Sequence, residues 1–129
     1  MRWPQTVVHR IDQMVQQYGS KPALKDGSGK ILTYNDMGRR VDSIIAALRQ
    51  AGAPKGSIIA AMQEPAVDSI CSMLAVFRAG GVYMPLDTRI STEQIKCALQ
   101  SHKPVLLLVD QATSNTARSL QDLKPKVLN

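Results

Sequence analysis

A glycine-rich segment that ends in lysine, G-S-G-K at residues 27–30, has the composition of a loop that binds phosphate. Backbone N–H groups in such a loop bind the anion, and the lysine adds a positive charge. The complete phosphate-loop pattern requires glycine at position 24 and serine or threonine at position 31, where this sequence has Leu24 and Ile31. Short apolar runs flank Asp26 and Gly27, so we expect the turn of a β-hairpin here.

Thiol and imidazole groups are few and scattered. Cys71 and Cys97 lie on predicted helices without a C-x-x-C pattern, and we expect both to be buried as small apolar side chains. His9 and His102 are isolated from each other and from the cysteines, so the sequence predicts no metal site.

The stretch F-R-A-G-G-V-Y-M-P-L-D, residues 77–87, contains no obvious nucleophile or general base. Its pattern predicts the end of a buried helix, a reversal at Gly80 and Gly81 that needs positive φ, and a strand that Pro85 ends. Asp87 then follows the carboxyl end of that strand, the edge at which open α/β sheets bind ligands. The physical interpretation favours a joint of the fold, and a functional role for Asp87 stays open.

The elements that position this stretch follow an alternating order. An amphipathic helix and the hairpin come first, and then a helix whose start has the capping pair Thr33 and Asp36. Three apolar strands are predicted at 57–62, 82–84 and 105–109, separated by a helix at 66–79 and a helix opened by Ser91 and Gln94. This order, β-α-β-α-β after a helix and a β-hairpin, predicts an α/β fold with a parallel-sheet core.

Composition and charge indicate which kinds of partner and location to expect for the chain. The chain has 129 residues, of which 44% are hydrophobic and 4% aromatic, so one domain with an aliphatic core is expected. The net charge is +6, but the basic residues are scattered, with Arg39-Arg40 the tightest pair, and aromatic residues do not interleave with them. We therefore expect no nucleic-acid partner. No apolar run suits a signal peptide or a membrane span, and we expect a cytoplasmic protein with reduced thiols.

Two stretches resemble motifs of one enzyme family. Residues 77–87 resemble L-K-A-G-x-A-Y-x-P-L-D of the adenylation domains of nonribosomal peptide synthetases, in the adenylate-forming, AMP-binding family. L-T-Y-N-D-M, residues 32–37, resembles the family's L-[TS]-Y-x-E-L, with Asp36 and Met37 as departures. The likeness runs from Thr6 to Asp110. Within this range the sequence is most similar to fungal polyketide–nonribosomal peptide hybrid synthetases. We expect residues 1–110 to be a partial adenylation domain, its N-terminal lobe, and residues 111–129 to be a polar C-terminal tail with at most a short helix around 116–123.

The resemblance implies that the complete family enzyme activates an amino acid with ATP and Mg²⁺ and loads it on the phosphopantetheine thiol of a carrier domain. In the family, the triphosphate loop S-G-T-T-G-x-P-K-G and a catalytic lysine follow the P-L-D stretch. Neither occurs in residues 1–129, and residues 111–129 contain no glycine. We therefore assign no catalytic, cofactor-binding or metal-binding residue, and expect the isolated chain neither to exchange pyrophosphate into ATP nor to bind ATP at millimolar concentration.

Three hypotheses remain open. The chain is a truncated adenylation domain without activity of its own, or an interaction module that contacts a condensation domain, a carrier domain or a separately encoded remainder. The third hypothesis is an unrelated doubly wound protein such as a receiver domain, because P-V-L-L-L-V-D, ending at Asp110, resembles a strand with a phospho-acceptor aspartate. Few residues follow that strand and no acidic pair precedes it, which disfavours a receiver.

The predicted surface suggests association. The helix at 66–79 is apolar nearly all round, and a sheet of three strands leaves edges without partners. We expect the isolated chain to be marginally stable, to self-associate, and to gain stability from neighbouring synthase domains. In the alternative, residues 111–129 cover the exposed edge and the chain is a monomer.

Overall fold

The structure, a computed structural model, describes residues 6–110, residue 113 and the backbone of residues 126–128. The helices are α1 Val7–Tyr18, α2 Tyr34–Gln50, α3 Val67–Arg78 and α4 Thr92–His102. The strands are β1 Pro22–Lys25, β2 Ile31–Thr33, β3 Ile58–Met62, β4 Val82–Pro85, β5 Leu106–Val109 and β6 Lys126–Leu128. Within these ranges, no helix is both long enough and apolar enough to cross a bilayer.

Hydrogen bonds at the helix starts explain where α2 and α4 begin. The Thr33 hydroxyl accepts from the Asp36 backbone N–H at 3.1 Å, and the Asp36 carboxylate accepts from the Thr33 N–H at 3.2 Å. Ser91 and Gln94 make the same reciprocal pair before α4, with both distances 3.2 Å. Each pair satisfies two backbone donors that a helix N-terminus leaves open, and both predicted capping boxes are confirmed.

The strands form two sheets. β1 and β2 pair antiparallel as a hairpin, and a parallel sheet has the order β4-β3-β5-β6. β3 lies in the middle, with Ile59 opposite both Tyr83 of β4 and Leu106 of β5. The predicted parallel core, with the strands at 57–62 and 105–109 side by side, is confirmed.

The sheet contains a fourth strand, β6, that the pattern did not predict. It pairs with β5 in parallel, with Leu107 opposite Val127. The segment 111–129 was expected to be a polar tail with at most a short helix at 116–123, and that helix lies outside the described residues. β6 therefore covers one edge of the predicted three-stranded core, as in the alternative in which the tail folds back.

Apolar side chains cover both faces of the parallel sheet. One face packs against α2 and α3, the other against α4, so successive strand residues are buried without polar alternation. The first face is formed by Ile59, Ala61, Leu106 and Leu108, with Met37, Val41, Ile45, Leu48, Cys71, Leu74, Ala75 and Val76 from the helices. The second is formed by Ala60, Met62, Leu107 and Val109 with Leu86, Ile95 and Leu99.

Candidate functional site at the carboxyl edge of the parallel sheet

The carboxyl ends of β3, β4 and β5 lie at one edge of the sheet, where the sequence placed Asp87. A cleft of about 640 Å³ opens there between the loop after β3 and the loop after β4. Its walls carry Ala61, Gln63, Glu64, Pro65, Ser69, Tyr83, Pro85, Leu86, Asp87, Thr88 and Arg89. Within the described residues, this edge is the candidate functional site. Its chemistry depends on the hydrogen-bond partners that each polar side chain has within the protein.

Asp87 is engaged by Arg89. Asp87 Oδ1 accepts from the Arg89 backbone N–H at 2.9 Å and from Arg89 Nε at 3.1 Å, and Oδ2 accepts from Arg89 Nη2 at 3.1 Å. The Arg89 side chain and backbone donors hold the pKa of the Asp87 carboxyl below its usual range. The carboxylate is therefore ionised at neutral pH, is not suited to donate a proton, and shapes the turn between β4 and α4.

Asp110 and Thr113 connect the end of β5 to the loop after β3. The Asp110 carboxylate accepts from the Glu64 backbone N–H at 2.7 Å and from the Thr113 backbone N–H at 2.9 Å. The buried Thr113 hydroxyl lies 2.5 Å from the Met62 carbonyl oxygen and accepts from the Asp110 N–H at 3.1 Å. We call these four residues the β3–β5 clamp, because they fix two loops that bound the candidate site.

A second cleft, of about 460 Å³, lies beside the β3–β5 clamp on the face covered by α2 and α3. Arg40 and Asp68 form an ion pair across it, with Nε 3.2 Å from Oδ1. The neighbouring Arg39 pairs with Asp36, with Nη2 2.6 Å from Oδ1. The tightest basic pair of the sequence is therefore matched by two carboxylates and forms no free cationic patch for phosphate groups.

The segment G-S-G-K is the turn of the β1–β2 hairpin, as predicted. The Asp26 carboxylate accepts from the backbone N–H groups of Ser28 at 2.9 Å and Lys30 at 3.1 Å, and from the Ser28 hydroxyl at 2.5 Å. The Ser28 hydroxyl, followed by these N–H donors, lowers the pKa of Asp26. The donors that could hold a phosphate are occupied by the loop's own carboxylate, whose charge repels a second anion.

The two cysteines differ in burial. Cys71 is buried in the core, as expected, but Cys97 is exposed, and both thiols are free. The expectation was wrong for Cys97 because Ile95 and Leu99 occupy the side of α4 that faces the sheet, and a residue midway between them points away. His9 and His102 are exposed, and the described ranges contain no group of three His, Cys, Asp or Glu side chains that could hold a metal.

This difference predicts two rates of thiol modification. In the folded protein we expect Cys97 to react with a disulfide reagent such as Ellman's reagent, and Cys71 to react at least about a hundredfold more slowly because the core must open first. Burial, with a smaller contribution from Asp68, also raises the pKa of the Cys71 thiol, which reduces its reactive thiolate fraction.

The control for this experiment is Cys97→Ser, which removes the fast phase and leaves the slow phase unchanged. Adding denaturant then exposes Cys71, and the slow thiol should react fully. A fast phase that persists in Cys97→Ser would contradict the described burial of Cys71.

Gly80 and Gly81 form the joint between α3 and β4 that the sequence suggested. Gly80 has φ of 78°, and its N–H bonds to the Phe77 carbonyl at 3.1 Å. Gly81 lacks the positive φ that was expected for both glycines. A Cβ atom there would lie 3.2 Å from Val76 Cγ1 and 3.3 Å from Ile59 Cδ1, so Gly81 is required by close packing.

Sequence reasoning missed two features of the site. It singled out Asp87 at this edge and Asp110 only within the receiver hypothesis, and it missed their partners Arg89 and Thr113. An aspartate followed two residues later by arginine, or three residues later by threonine, is a local turn pattern that a search for Asx turns could have found. The bond from Glu64 to Asp110 spans 46 residues and has no local signal.

Comparisons with known proteins agree on one family. A family model described as AMP-binding enzyme matches residues 11–128. The hybrid PKS-NRPS synthetase fsa1 of Fusarium sp. (strain FN080326) is 45% identical over 114 residues, 88% of this chain and 3% of the relative. Equisetin synthetase eqxS of Fusarium heterosporum is 42% identical over 119 residues, 92% of this chain and 3% of the relative. The chain thus spans about 3% of the length of these relatives.

Solved structures of other proteins have the same fold. The structure of holo-AB3403, a four-domain nonribosomal peptide synthetase bound to AMP and glycine, superposes with a TM-score of 0.78 at 21% identity. The match covers 84% of this chain and 8% of that protein. At this identity the likeness establishes the fold.

Proposed function

The chain belongs to the AMP-binding enzyme family, and from that premise we propose that it is the N-terminal lobe of an adenylation domain of a hybrid polyketide–nonribosomal peptide synthetase. Family membership contradicts the third hypothesis, an unrelated receiver domain. Asp110 also lies in the β3–β5 clamp, which is a structural use of the residue that a receiver would phosphorylate.

One observation carries the proposal that this lobe is a scaffold. Residues of the two family-like stretches form junctions of the fold: Thr33 and Asp36 cap α2, and Gly80, Gly81 and Pro85 join α3 to β4 and end that strand. Asp87 is held by its neighbour Arg89. These contacts support a lobe that positions other parts of an adenylation domain and does not itself hold the reacting groups.

A role for ATP, Mg²⁺ and the phosphopantetheine thiol is inferred only from membership of the family. The family's triphosphate loop and catalytic lysine follow the P-L-D stretch, and residues 1–129 contain neither pattern. We therefore propose that this segment is inactive in isolation. The division into residues 1–110 and 111–129 stays a prediction, and Thr113 and β6 attach the second segment to the lobe at two places.

A second candidate function, an interaction module for neighbouring synthase domains, is supported by the outer side of α3. Ile70 and Phe77 are seven residues apart on this helix, on the same side, and are 39% and 40% exposed. Phe77 packs edge-to-face on Tyr83, with ring centroids 6.2 Å apart. Neighbouring condensation or carrier domains, or the rest of the adenylation domain, are the proposed partners, in the cytoplasm, where two free thiols are stable.

A chimeric enzyme tests the scaffold function. In equisetin synthetase eqxS, the segment matched over 119 residues is replaced by the matching segment of this chain. We expect amino-acid-dependent exchange of pyrophosphate into ATP, within about tenfold of the parent's rate, a barrier change of about 1.4 kcal/mol. The amino-acid preference should stay that of the parent, because no substrate-pocket residue is assigned to this segment.

The isolated 129-residue chain is the matched control in the same assay. It should give no exchange and no one-site isotherm when titrated calorimetrically with millimolar Mg-ATP. A chimera that folds but has a changed amino-acid preference would contradict a scaffold role, and a clear one-site isotherm for the isolated chain would contradict its inactivity.

A further inference from the structure

β4 lies at one end of the parallel sheet, and among the described strands only β3 pairs with it. Its hydrogen bonds show which residues face that partner. The Val82 N–H donates to the Ser57 carbonyl at 2.9 Å, and the Leu86 N–H donates to the Ala61 carbonyl at 2.8 Å. Because backbone groups alternate between the two sides of a strand, the odd-numbered residues of β4 direct their N–H and C=O groups away from the sheet.

The outer side of β4 offers very few donors. Gly81, just before the strand, donates its N–H to the Val76 carbonyl at 3.0 Å. Pro85, at the other end, has no N–H. Tyr83 therefore has the single outward N–H of β4.

The side chains at this edge would otherwise favour association. Val82 and Tyr83 are strand-forming residue types, and Val82 is 51% exposed. An open edge with such side chains is a template on which another strand adds, and proline is one of the residues with which proteins prevent this.

We propose that Pro85 blocks strand addition at the outer edge of β4, so that a second copy of this chain cannot extend the parallel sheet there. A copy related by a two-fold axis through Tyr83 could exchange two hydrogen bonds between the two Tyr83 residues. The next bonds would need the N–H of residue 85 as donor to the carbonyl of Gly81 in the other copy. With proline at 85 those bonds are absent, so the pairing is limited to the two hydrogen bonds between the Tyr83 residues.

The proposal is independent of the adenylation chemistry, because it depends only on the strand order and on which backbone groups are already bonded. Pro85 keeps its place beside β3, opposite Ala61, because the missing N–H would point outward and not toward that partner. A partner that binds this flank therefore meets side chains of α3 and β4 and not a backbone ladder.

Substitution of Pro85 tests the block. In Pro85→Val the N–H is restored, and a two-fold pair gains two ladder hydrogen bonds, so we expect a dimer whose dissociation constant is at least about tenfold lower than that of the wild-type chain. Sedimentation velocity over a series of protein concentrations measures this constant. Hydrogen exchange of the Tyr83 and Val82 segment should slow as the dimer forms.

Pro85→Ala is the second variant, which restores the N–H with a smaller side chain, and it should shift the equilibrium in the same direction. Pro65→Val is the matched control, because Pro65 is exposed and lies in the loop before α3; it should sediment like the wild type. Folded Pro85→Val and Pro85→Ala proteins that also sediment like the wild type would overturn the proposal. Loss of the fold in both variants would overturn it as well, because Pro85 would then be needed within the lobe.

Discussion

Gly81→Ala is expected to lower the free energy of unfolding by about 2 kcal/mol, and Gly81→Val is expected to abolish cooperative folding. The new Cβ would lie 3.2 Å from Val76 Cγ1, 3.3 Å from Ile59 Cδ1 and 3.3 Å from the Ser57 carbonyl oxygen. Val76 and Ile59 are 0% and 1% exposed, so neither can move into solvent, and the third contact is backbone. The joint between α3 and β4 must therefore open, which separates the helix from the sheet.

Thermal and urea unfolding measure this effect, and a loss of 1 kcal/mol corresponds to about 4 °C in Tm for a chain of this size. Gly27→Ala is the matched control, because a Cβ at Gly27 meets no atom within 4 Å and its φ is not positive. That control should change the free energy of unfolding by less than about 0.5 kcal/mol. Equal melting of the two variants would mean that α3 and β4 approach each other less closely than described.

The two glycines show where sequence reasoning succeeds and where it ends. The Gly80-Gly81 pair was correctly placed at a reversal between helix and strand, because both flanking patterns are local. For Gly80 the reason was also correct, since its φ is 78°. For Gly81 the reason is the closeness of Ile59, a residue of another strand, and no pattern within the stretch reveals that distance.

Helix starts and buried strands were predictable for the same reason. The capping residues of α2 and α4 and the hairpin carboxylate Asp26 act within three or four residues of their partners. The strands β3 and β5 are continuous apolar runs, the pattern of strands covered on both faces. In each case the sequence pattern lies in the same short segment as the structural feature that it predicts.

The remaining features depend on distant parts of the chain. β6 has three residues, too few for periodicity, and it is a strand because β5 presents a free edge to it. The exposure of Cys97 depends on which side of α4 meets the sheet. At the candidate site, the sequence placed Asp87 at the carboxyl edge, but the role of Asp110 follows from its hydrogen bond with Glu64, 46 residues away, which only the folded chain brings together.

The β3–β5 clamp is expected to be the second most sensitive feature. Asp110→Ala removes the acceptor for the backbone N–H groups of Glu64 and Thr113, and we expect a loss of about 2 kcal/mol in the free energy of unfolding. Thr113→Val keeps the shape of a side chain that is 5% exposed but removes the hydroxyl beside the Met62 carbonyl, with an expected loss of about 1–2 kcal/mol.

A double-mutant cycle distinguishes a clamp from two separate turns. Because Asp110 and Thr113 bond to each other as well as to Glu64 and Met62, the double variant should lose less than the sum of the single losses, by about 0.5 kcal/mol or more. Thr92→Val, at an exposed position in the first turn of α4, is the matched control and should be nearly neutral. Strictly additive losses would contradict the clamp, since β5 and the loop after β3 would then be held independently, and the candidate site would lack a fixed boundary between them.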